Sequence, residues 1–175
     1  MKRLGFISAF LMLLAVAFAP AANAAISVTF NPAAAPTGTH VQSGTPTCTV
    51  DGLLVSCSSY ELAGVGNTNA RADLSANYQA TVRCRNHGGQ IVDVKSQLIG
   101  VPTSSGQLEP KNGRLTVPAL NSGPVPSSAT FEAQATCPNG NWTKETLTST
   151  ITLVSFTYTL HFVGFTGNYI TITGP

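Results

Sequence analysis

Charged residues are scarce in this sequence: Asp, Glu, Lys and Arg together make up 9% of its 175 residues. The few cations are dispersed along the chain, whereas a nucleic-acid binder needs clustered cations to displace counterions from phosphates. Nucleic acid is therefore not an expected partner. No stretch of ten residues has a convincing helical period, and Thr, Ser, Gly, Pro and Val are abundant, which predicts an all-β protein.

The motifs of familiar enzymes are also absent. No nucleophile elbow, P-loop, dinucleotide-binding glycine motif or His-Glu-x-x-His occurs, and the seven acidic residues are spread singly. No Cys-x-x-Cys is present and no histidine has a partner at ligand spacing, which argues against zinc. Residues 67–73 offer oxygen atoms to calcium but lack the spacing of a known calcium loop. We expect no enzyme activity, no cofactor and no metal.

An export signal is the first feature that the sequence does have. Lys2 and Arg3 precede an uncharged apolar run, residues 4–20, which is followed by the small residues Ala-Asn-Ala. This order predicts a signal peptide over residues 1–24, and its alanine-rich composition favours a bacterial source. We expect residues 25–175 to form a single secreted domain without an integral membrane segment. Because the signal contains two basic residues, that domain carries seven basic and seven acidic residues.

Two stretches of the chain resemble each other: YQATVRCRNHGG and FEAQATCPNGNW. In each, an aromatic residue and small apolar residues alternate with polar ones as far as a cysteine, Cys84 or Cys137, and an Asn-containing turn follows. A period of two predicts a half-buried strand with the cysteine at the inward end. Further along, Asn112-Gly113 predicts the turn of a hairpin. Eight or nine short strands in all predict an antiparallel β-sandwich of immunoglobulin-like or Greek-key type.

The four cysteines allow three pairings. Cys48 and Cys57 flank TVDGLLVS, and a four-residue turn over 51–54 would place them opposite each other in a hairpin. Cys84 and Cys137, at equivalent inward strand ends, are natural partners across a sandwich in an exported protein. We predict the disulfides Cys48–Cys57 and Cys84–Cys137.

Threonine forms the most unusual pattern in the sequence. Alternate positions near the C-terminus carry it, namely Thr146, Thr148, Thr150 and Thr152. The same spacing recurs at Thr157 and Thr159 and at Thr171 and Thr173. On a flat sheet these residues would form a regular, uncharged surface of methyl and hydroxyl groups, a candidate binding site for ice, a polysaccharide or a repetitive wall polymer. Threonine is also a common outward-facing strand residue without any binding role.

These observations favour a secreted or cell-envelope-associated, non-catalytic binding or structural module whose partner is an extracellular protein or polymer. One alternative is a small secreted inhibitor or toxin that acts on a protein or membrane target. Exposed loops such as residues 118–128 would do the binding, or the uncharged stretch 147–162 would insert as a membrane hairpin. A second alternative is a hydrolase whose catalytic carboxylates come from distant parts of the chain.

Overall fold

The structure is a computed structural model, and it describes residues 25–175. The signal peptide predicted over residues 1–24 lies outside the described residues. Fourteen strands and one α-helix follow one another along residues 25–175. The strands are β1 (Ser27–Phe30), β2 (His40–Gly44), β3 (Cys48–Asp51), β4 (Leu54–Cys57), β5 (Tyr60–Ala63), β6 (Ala70–Gln79), β7 (Thr81–Arg85), β8 (Ile91–Lys95), β9 (Ile99–Leu108), β10 (Arg114–Val117), β11 (Leu120–Asn121), β12 (Thr143–Thr146), β13 (Thr152–Phe162) and β14 (Ile170–Gly174). The helix, α1 (Ser128–Gln134), precedes β12.

The largest sheet has five antiparallel strands in the order β1-β14-β13-β6-β9. Its central strands alternate strictly between buried and more exposed positions, as in β6 (ARADLSANYQ) and the second half of β13. This alternation gives the sheet one face toward the core and one toward solvent. We call the solvent side the outer face. The first and last strands of the described chain lie side by side in it.

Three smaller antiparallel sheets complete the fold, each with three strands, in the orders β10-β5-β2, β11-β4-β3 and β12-β7-β8. The third continues the large sheet, because β7 follows β6 after one residue and β8 pairs with β7 just as β9 pairs with β6. Together β6 and β7 form one arm of a long hairpin, and β8 and β9 form the other arm. The turn of this hairpin lies between β7 and β8. The all-β, antiparallel fold is therefore confirmed, while an immunoglobulin-like or Greek-key strand order stays a prediction.

A single hydrophobic core joins the large sheet to the smaller ones. From the large sheet, Phe156, Leu160 and Ile172 are buried, and from the smaller sheets Val55 and Leu62 are buried with them. Tyrosine hydroxyls buried in this core find partners, as buried polar groups must. The hydroxyls of Tyr60 and Tyr158 lie 2.9 Å apart, and that of Tyr78 donates to the Leu53 carbonyl at 2.9 Å.

The tyrosine pair gives the protein a predicted sensitivity to alkali. Burial raises the pKa of both Tyr60 and Tyr158 above the ordinary value of a tyrosine. Between the unfolded pKa, about 10, and the higher folded pKa, the unfolded chain loses protons that the folded protein keeps. The free energy of unfolding should therefore fall as the pH rises above about 10, by up to about 1.4 kcal/mol per pH unit for each of these tyrosines.

Urea denaturation at pH 8 to 11.5 measures this loss (the interval brackets the ordinary tyrosine pKa of about 10). The double variant Tyr60→Phe/Tyr158→Phe removes both hydroxyls together and should flatten the profile. An equally steep loss in that variant would show that other groups cause it.

The second of the two similar stretches is not a strand, and that prediction is wrong. Residues 128–134 form α1, with Phe131 and Ala135 buried four positions apart and Ala133 exposed between them. The Ser127 side chain accepts from the Thr130 N–H and so caps the first turn.

The last turn of α1 is held from outside the helix. The Lys144 ammonium donates to the Glu132 and Ala135 carbonyls at 2.9 and 2.8 Å. A cation at the C-terminal carbonyls stabilises a helix end. These two bonds help to explain how seven residues without a helical sequence pattern form a helix.

The Asn-Gly dipeptide forms the predicted turn, but the hairpin around it is minimal. Asn112 and Gly113 both have positive φ, 52° and 72°, as a tight turn of this kind requires. Only one bridge, between Lys111 and Arg114, closes it, and β10 pairs instead with β5. The dipeptide determines the turn, which is a local property. It does not determine which strand β10 pairs with.

No helix in the part of the chain that the structure describes is long and apolar enough to cross a membrane.

Candidate functional site

The structure contains the two disulfides that hairpin spacing and strand alternation predict, Cys48–Cys57 and Cys84–Cys137. Cys48 and Cys57 are directly opposite in the β3–β4 ladder, with Val50 opposite Val55, as the four-residue turn requires. Cys84–Cys137 joins the end of β7 to the segment after α1. Both disulfides act in the structure as cross-links rather than as reactive groups, because all four sulfur atoms are in them.

The first four threonines of the predicted array do not share a surface, and this part of the prediction is wrong. Thr146 ends β12, a 3-10 turn contains Thr148–Thr150, and Thr152 begins β13. The turn interrupts the alternation, since its residues no longer point to opposite sides of a sheet.

Three of these four threonines use their hydroxyls within the fold. Thr146 donates to the Ser128 carbonyl at 2.9 Å, Thr150 donates to the Leu147 carbonyl at 2.6 Å, and Thr152 donates to the Gln79 carbonyl at 3.4 Å. Thr146 is also buried. Their hydroxyls therefore bond to nearby backbone carbonyls and do not form a row on one surface.

Thr157 and Thr159 lie where a binding surface requires them, on the outer face. Strand pairing places hydroxyl side chains beside them on the neighbouring strands, in two parallel rows that cross the sheet. Row one contains Ser27, Thr173, Thr157 and Ser75, and row two contains Thr29, Thr171, Thr159, Asp73 and Ser104. Adjacent members of a row are directly opposite each other in the ladders, so the rows follow from the register of five strands.

Most hydroxyls in these rows have no partner in the protein. Within residues 25–175, the side chains of Thr157, Thr159, Thr171 and Thr173 donate no hydrogen bond. Thr29 donates a long one of 3.3 Å to the Thr171 carbonyl, and Ser104 accepts from the Gly106 N–H at 3.2 Å. Thr157 and Thr173 are exposed, and Thr159 and Thr171 are half-buried. A hydroxyl can both donate and accept, so the rows offer free groups of both kinds.

A shallow depression runs along the outer face beside the rows. Its first part has a volume of about 390 Å³ and is lined by residues of both rows, including Ser75, Ser104 and Thr157. A second hollow of about 340 Å³ adjoins it at Ser104 and extends to Arg71 and His161.

Charge among the residues that line these hollows is carried by Asp73 in the first part and by Arg71 in the second. The two side chains form an ion pair at 2.8 Å. In the second hollow the Nδ1 atom of His161 is buried without a hydrogen-bond partner among the described residues. The outer face is thus uncharged over row one and polar, with compensated charges, at the end of row two.

No group of three or more metal-ligating side chains occurs in residues 25–175. The candidate calcium stretch, 67–73, does not form a separate loop, because its last four residues begin β6. Its carboxylate, Asp73, is bound to Arg71.

The loop proposed for an inhibitor, residues 118–128, is hydrogen-bonded to β4, where the Ser122 N–H donates to the Val55 carbonyl at 2.8 Å.

Comparison with known proteins gives no match: no family model fits the chain, no curated protein matches its sequence, and no solved structure matches its fold.

The Thr-x-Thr spacing of the sequence indicates four members of the rows, Thr157, Thr159, Thr171 and Thr173. Ser27, Thr29 and Ser75 gave no local signal, because only the pairing of distant strands brings them into line.

Proposed function

We propose that this protein is an exported, non-catalytic binding module that holds an uncharged polymer, most simply a polysaccharide, on the outer face of its five-stranded sheet. The observation that carries the proposal is the pair of in-register rows of free hydroxyls. A polysaccharide presents hydroxyls that donate and accept at regular intervals, and the rows complement that pattern.

The dimensions of the rows favour a polymer over a small molecule. Neighbouring strands are about 4.8 Å apart, so a row across four strands extends about 14 Å. The two rows are two residues apart along each strand, about 6.8 Å. A surface of this extent contacts several repeating units at once, and many weak contacts then add to a useful affinity.

The charge of the surface favours a neutral ligand. Row one has no ionisable side chain, and the nearest charges, Arg71 and Asp73, neutralise each other. Residues 25–175 also contain equal numbers of acidic and basic residues. An anionic polymer would find no excess of positive charge here to attract it.

The state of the carboxylates supports a non-catalytic role. Hydrolysis of a glycosidic bond uses two carboxylates that flank the bond, one of them free to donate a proton. Three of the seven carboxylates, Asp73, Asp93 and Glu61, are each paired with an arginine at 2.8 to 2.9 Å. The arginine beside Asp93 lowers its pKa by a hydrogen bond, which is the opposite of what a general acid needs.

Export is part of the proposal and is supported by two features. Both disulfides require an oxidising compartment to form and persist, and residues 1–24 have the composition of a signal peptide. Secretion places the outer face where extracellular and cell-wall polymers are found.

Removal of two hydroxyls from row one should weaken polymer binding. Thr157→Val/Thr173→Val keeps the shape and the strand preference of the side chains but deletes their hydrogen-bonding groups. Each net hydrogen bond contributes about 1 kcal/mol, so loss of two should lower the apparent affinity by about 30-fold. Co-sedimentation with cellulose, chitin and mannan measures it.

The matched control is Thr148→Val/Thr116→Val, which deletes two exposed threonine hydroxyls away from the outer face. It should bind as the natural protein does. Equal losses in both variants, or none in the first, would contradict a site on the outer face.

A further inference from the structure

The two similar sequence stretches converge on one small pocket, although one is a strand and the other mostly a helix. Each cysteine is followed by a turn rich in asparagine: Asn86-His87-Gly88 after Cys84, and Asn139-Gly140-Asn141 after Cys137. These turns, with Trp142, line a pocket of about 270 Å³. We call it the loop pocket. It lies at the turn between β7 and β8, beyond the end of the five-stranded sheet.

Covalent and hydrogen-bonded links hold the two turns together. The Cys84–Cys137 disulfide, with Cα atoms 5.8 Å apart, joins the chain two residues before each turn. After the second turn, β12 returns alongside β7, and the Thr143 hydroxyl donates to the Arg85 carbonyl at 3.1 Å. The second turn is thus fixed at both ends against the first.

The first turn is also fixed internally. The Asn86 amide both accepts from the Gln90 N–H and donates to its side chain, each at 2.8 Å. Gly89, with φ of 82°, supplies the left-handed conformation that closes the turn. A pocket formed by restrained turns loses little entropy when it binds.

Several polar groups of the loop pocket have no partner among the described residues. Asn139 uses its side-chain oxygen to accept from the Asn141 N–H at 3.1 Å, which leaves its NH₂ group free. The side-chain amide of Asn141, the His87 ring and the Trp142 indole N–H make no hydrogen bond in residues 25–175. Trp142 is half-buried and lines the pocket.

We propose that the loop pocket binds one uncharged sugar ring, such as a terminal or branch pyranose of a glycan. The C–H face of a pyranose carries partial positive charge and packs on the negative face of an indole ring. Amide groups that donate and accept suit its hydroxyls. The volume lies just below the range of about 300 to 1,000 Å³ that is typical of drug-sized ligands, so one ring fits and a long oligosaccharide does not.

The loop pocket is separate from the outer face and does not depend on its role. The hydroxyl rows lie on β1, β14, β13, β6 and β9, whereas the pocket is formed by the turns after β7 and before β12. No residue of the pocket belongs to either row. The polymer site can fail its test while the sugar site passes its own, and the sugar site can fail while the polymer site passes.

The chain contains a single tryptophan, so its fluorescence reports the loop pocket directly. Titration with the methyl glycosides of glucose, galactose, mannose and N-acetylglucosamine should give a saturable blue shift with at least one of them. The midpoint should be about 1 mM, the range expected for a ligand of about a dozen heavy atoms. Glycerol at equal concentration controls for a solvent effect and should give no saturation.

Variants of the pocket decide whether the fluorescence change reports this site. Asn141→Ala should weaken binding of the responding glycoside by about 5-fold, through loss of amide hydrogen bonds. Asn67→Ala, at an exposed asparagine of another loop, should bind as the natural protein does. His87→Ala serves as a second pocket variant should Asn141→Ala not fold, which thermal melting would reveal.

No saturable change with any of the four glycosides would overturn the sugar site. A saturable change that neither Asn141→Ala nor His87→Ala weakens would overturn it too, because the ring would then bind elsewhere.

Discussion

Replacing Cys84 and Cys137 together with alanine is expected to lower the free energy of unfolding by about 4 kcal/mol. The disulfide closes a loop with a sequence separation of 53, and in the chain-entropy model the stabilisation grows with the logarithm of loop length. For a domain of this size, the melting temperature should fall by about 10 °C. Urea or thermal denaturation followed by circular dichroism measures both quantities. Alanine avoids placing a hydroxyl at the fully buried Cys84 position.

The other disulfide supplies the matched control. Cys48–Cys57 closes a loop with a sequence separation of only 9, so its double alanine variant should lose about 2.7 kcal/mol in the same model. Its hairpin register is also held by the β3–β4 ladder. A larger loss from the short loop than from the long one would contradict the view that Cys84–Cys137 is the main covalent restraint of the fold.

Phe131→Ala should destabilise the protein by a similar amount, about 4 kcal/mol. Phe131 is the one residue of α1 that is fully buried, and it belongs to the hydrophobic core. Removal of a buried aromatic ring loses its transfer free energy and leaves a cavity. Loss of this anchor should also loosen the segment that continues to Cys137. Chemical denaturation gives the free energy, and far-ultraviolet circular dichroism reports whether the fold persists.

Ala133→Glu distinguishes the helix from the strand that the sequence pattern indicates. In a strand Ala133 would share the buried face of Phe131, and a carboxylate there would be severely destabilising. In α1 it is exposed, so the change should alter the free energy of unfolding by less than about 0.5 kcal/mol. A loss comparable to that of Phe131→Ala would show that residues 128–134 are not helical.

The sequence predicts those parts of the fold that depend on near neighbours. The turn over residues 51–54 places Cys48 opposite Cys57 because ladder register follows from turn length. Alternation from Tyr78 to Cys84 predicts which side chains are buried, and all four of its inward positions are. These features involve at most about ten residues, and the side-chain period of a strand determines them.

The helix α1 could not be predicted in the same way. Its alternation resembles that of the first stretch, and the two bonds that hold its last turn come from Lys144, outside the helix. The similarity of the two stretches reflects what they share in space, which is one disulfide and two adjoining turns. Strand alternation was the wrong explanation for the second stretch.

The candidate site could be predicted only in part, because it too depends on residues that are distant in the sequence. Thr157 and Thr159 follow the strand period in the sequence, but a binding surface also needs neighbours on the adjacent strands. Those neighbours come from residues as distant as Thr29 and Thr171, whose side-by-side position depends on the pairing of the first and last strands. The 3-10 turn at Thr148–Thr150 could not be distinguished from a strand by alternation alone.

Mapping of the binding surface by nuclear magnetic resonance tests the central claim most directly. With labelled protein and soluble oligosaccharides of a polymer that co-sediments with it, the amide signals of Thr157, Thr159, Thr171 and Thr173 should shift together and saturate together. The signal of Thr148 should stay in place. If the shifts map to the sheet formed by β2, β5 and β10, or if the outer face is silent while binding occurs, then the rows of free hydroxyls are not the binding site.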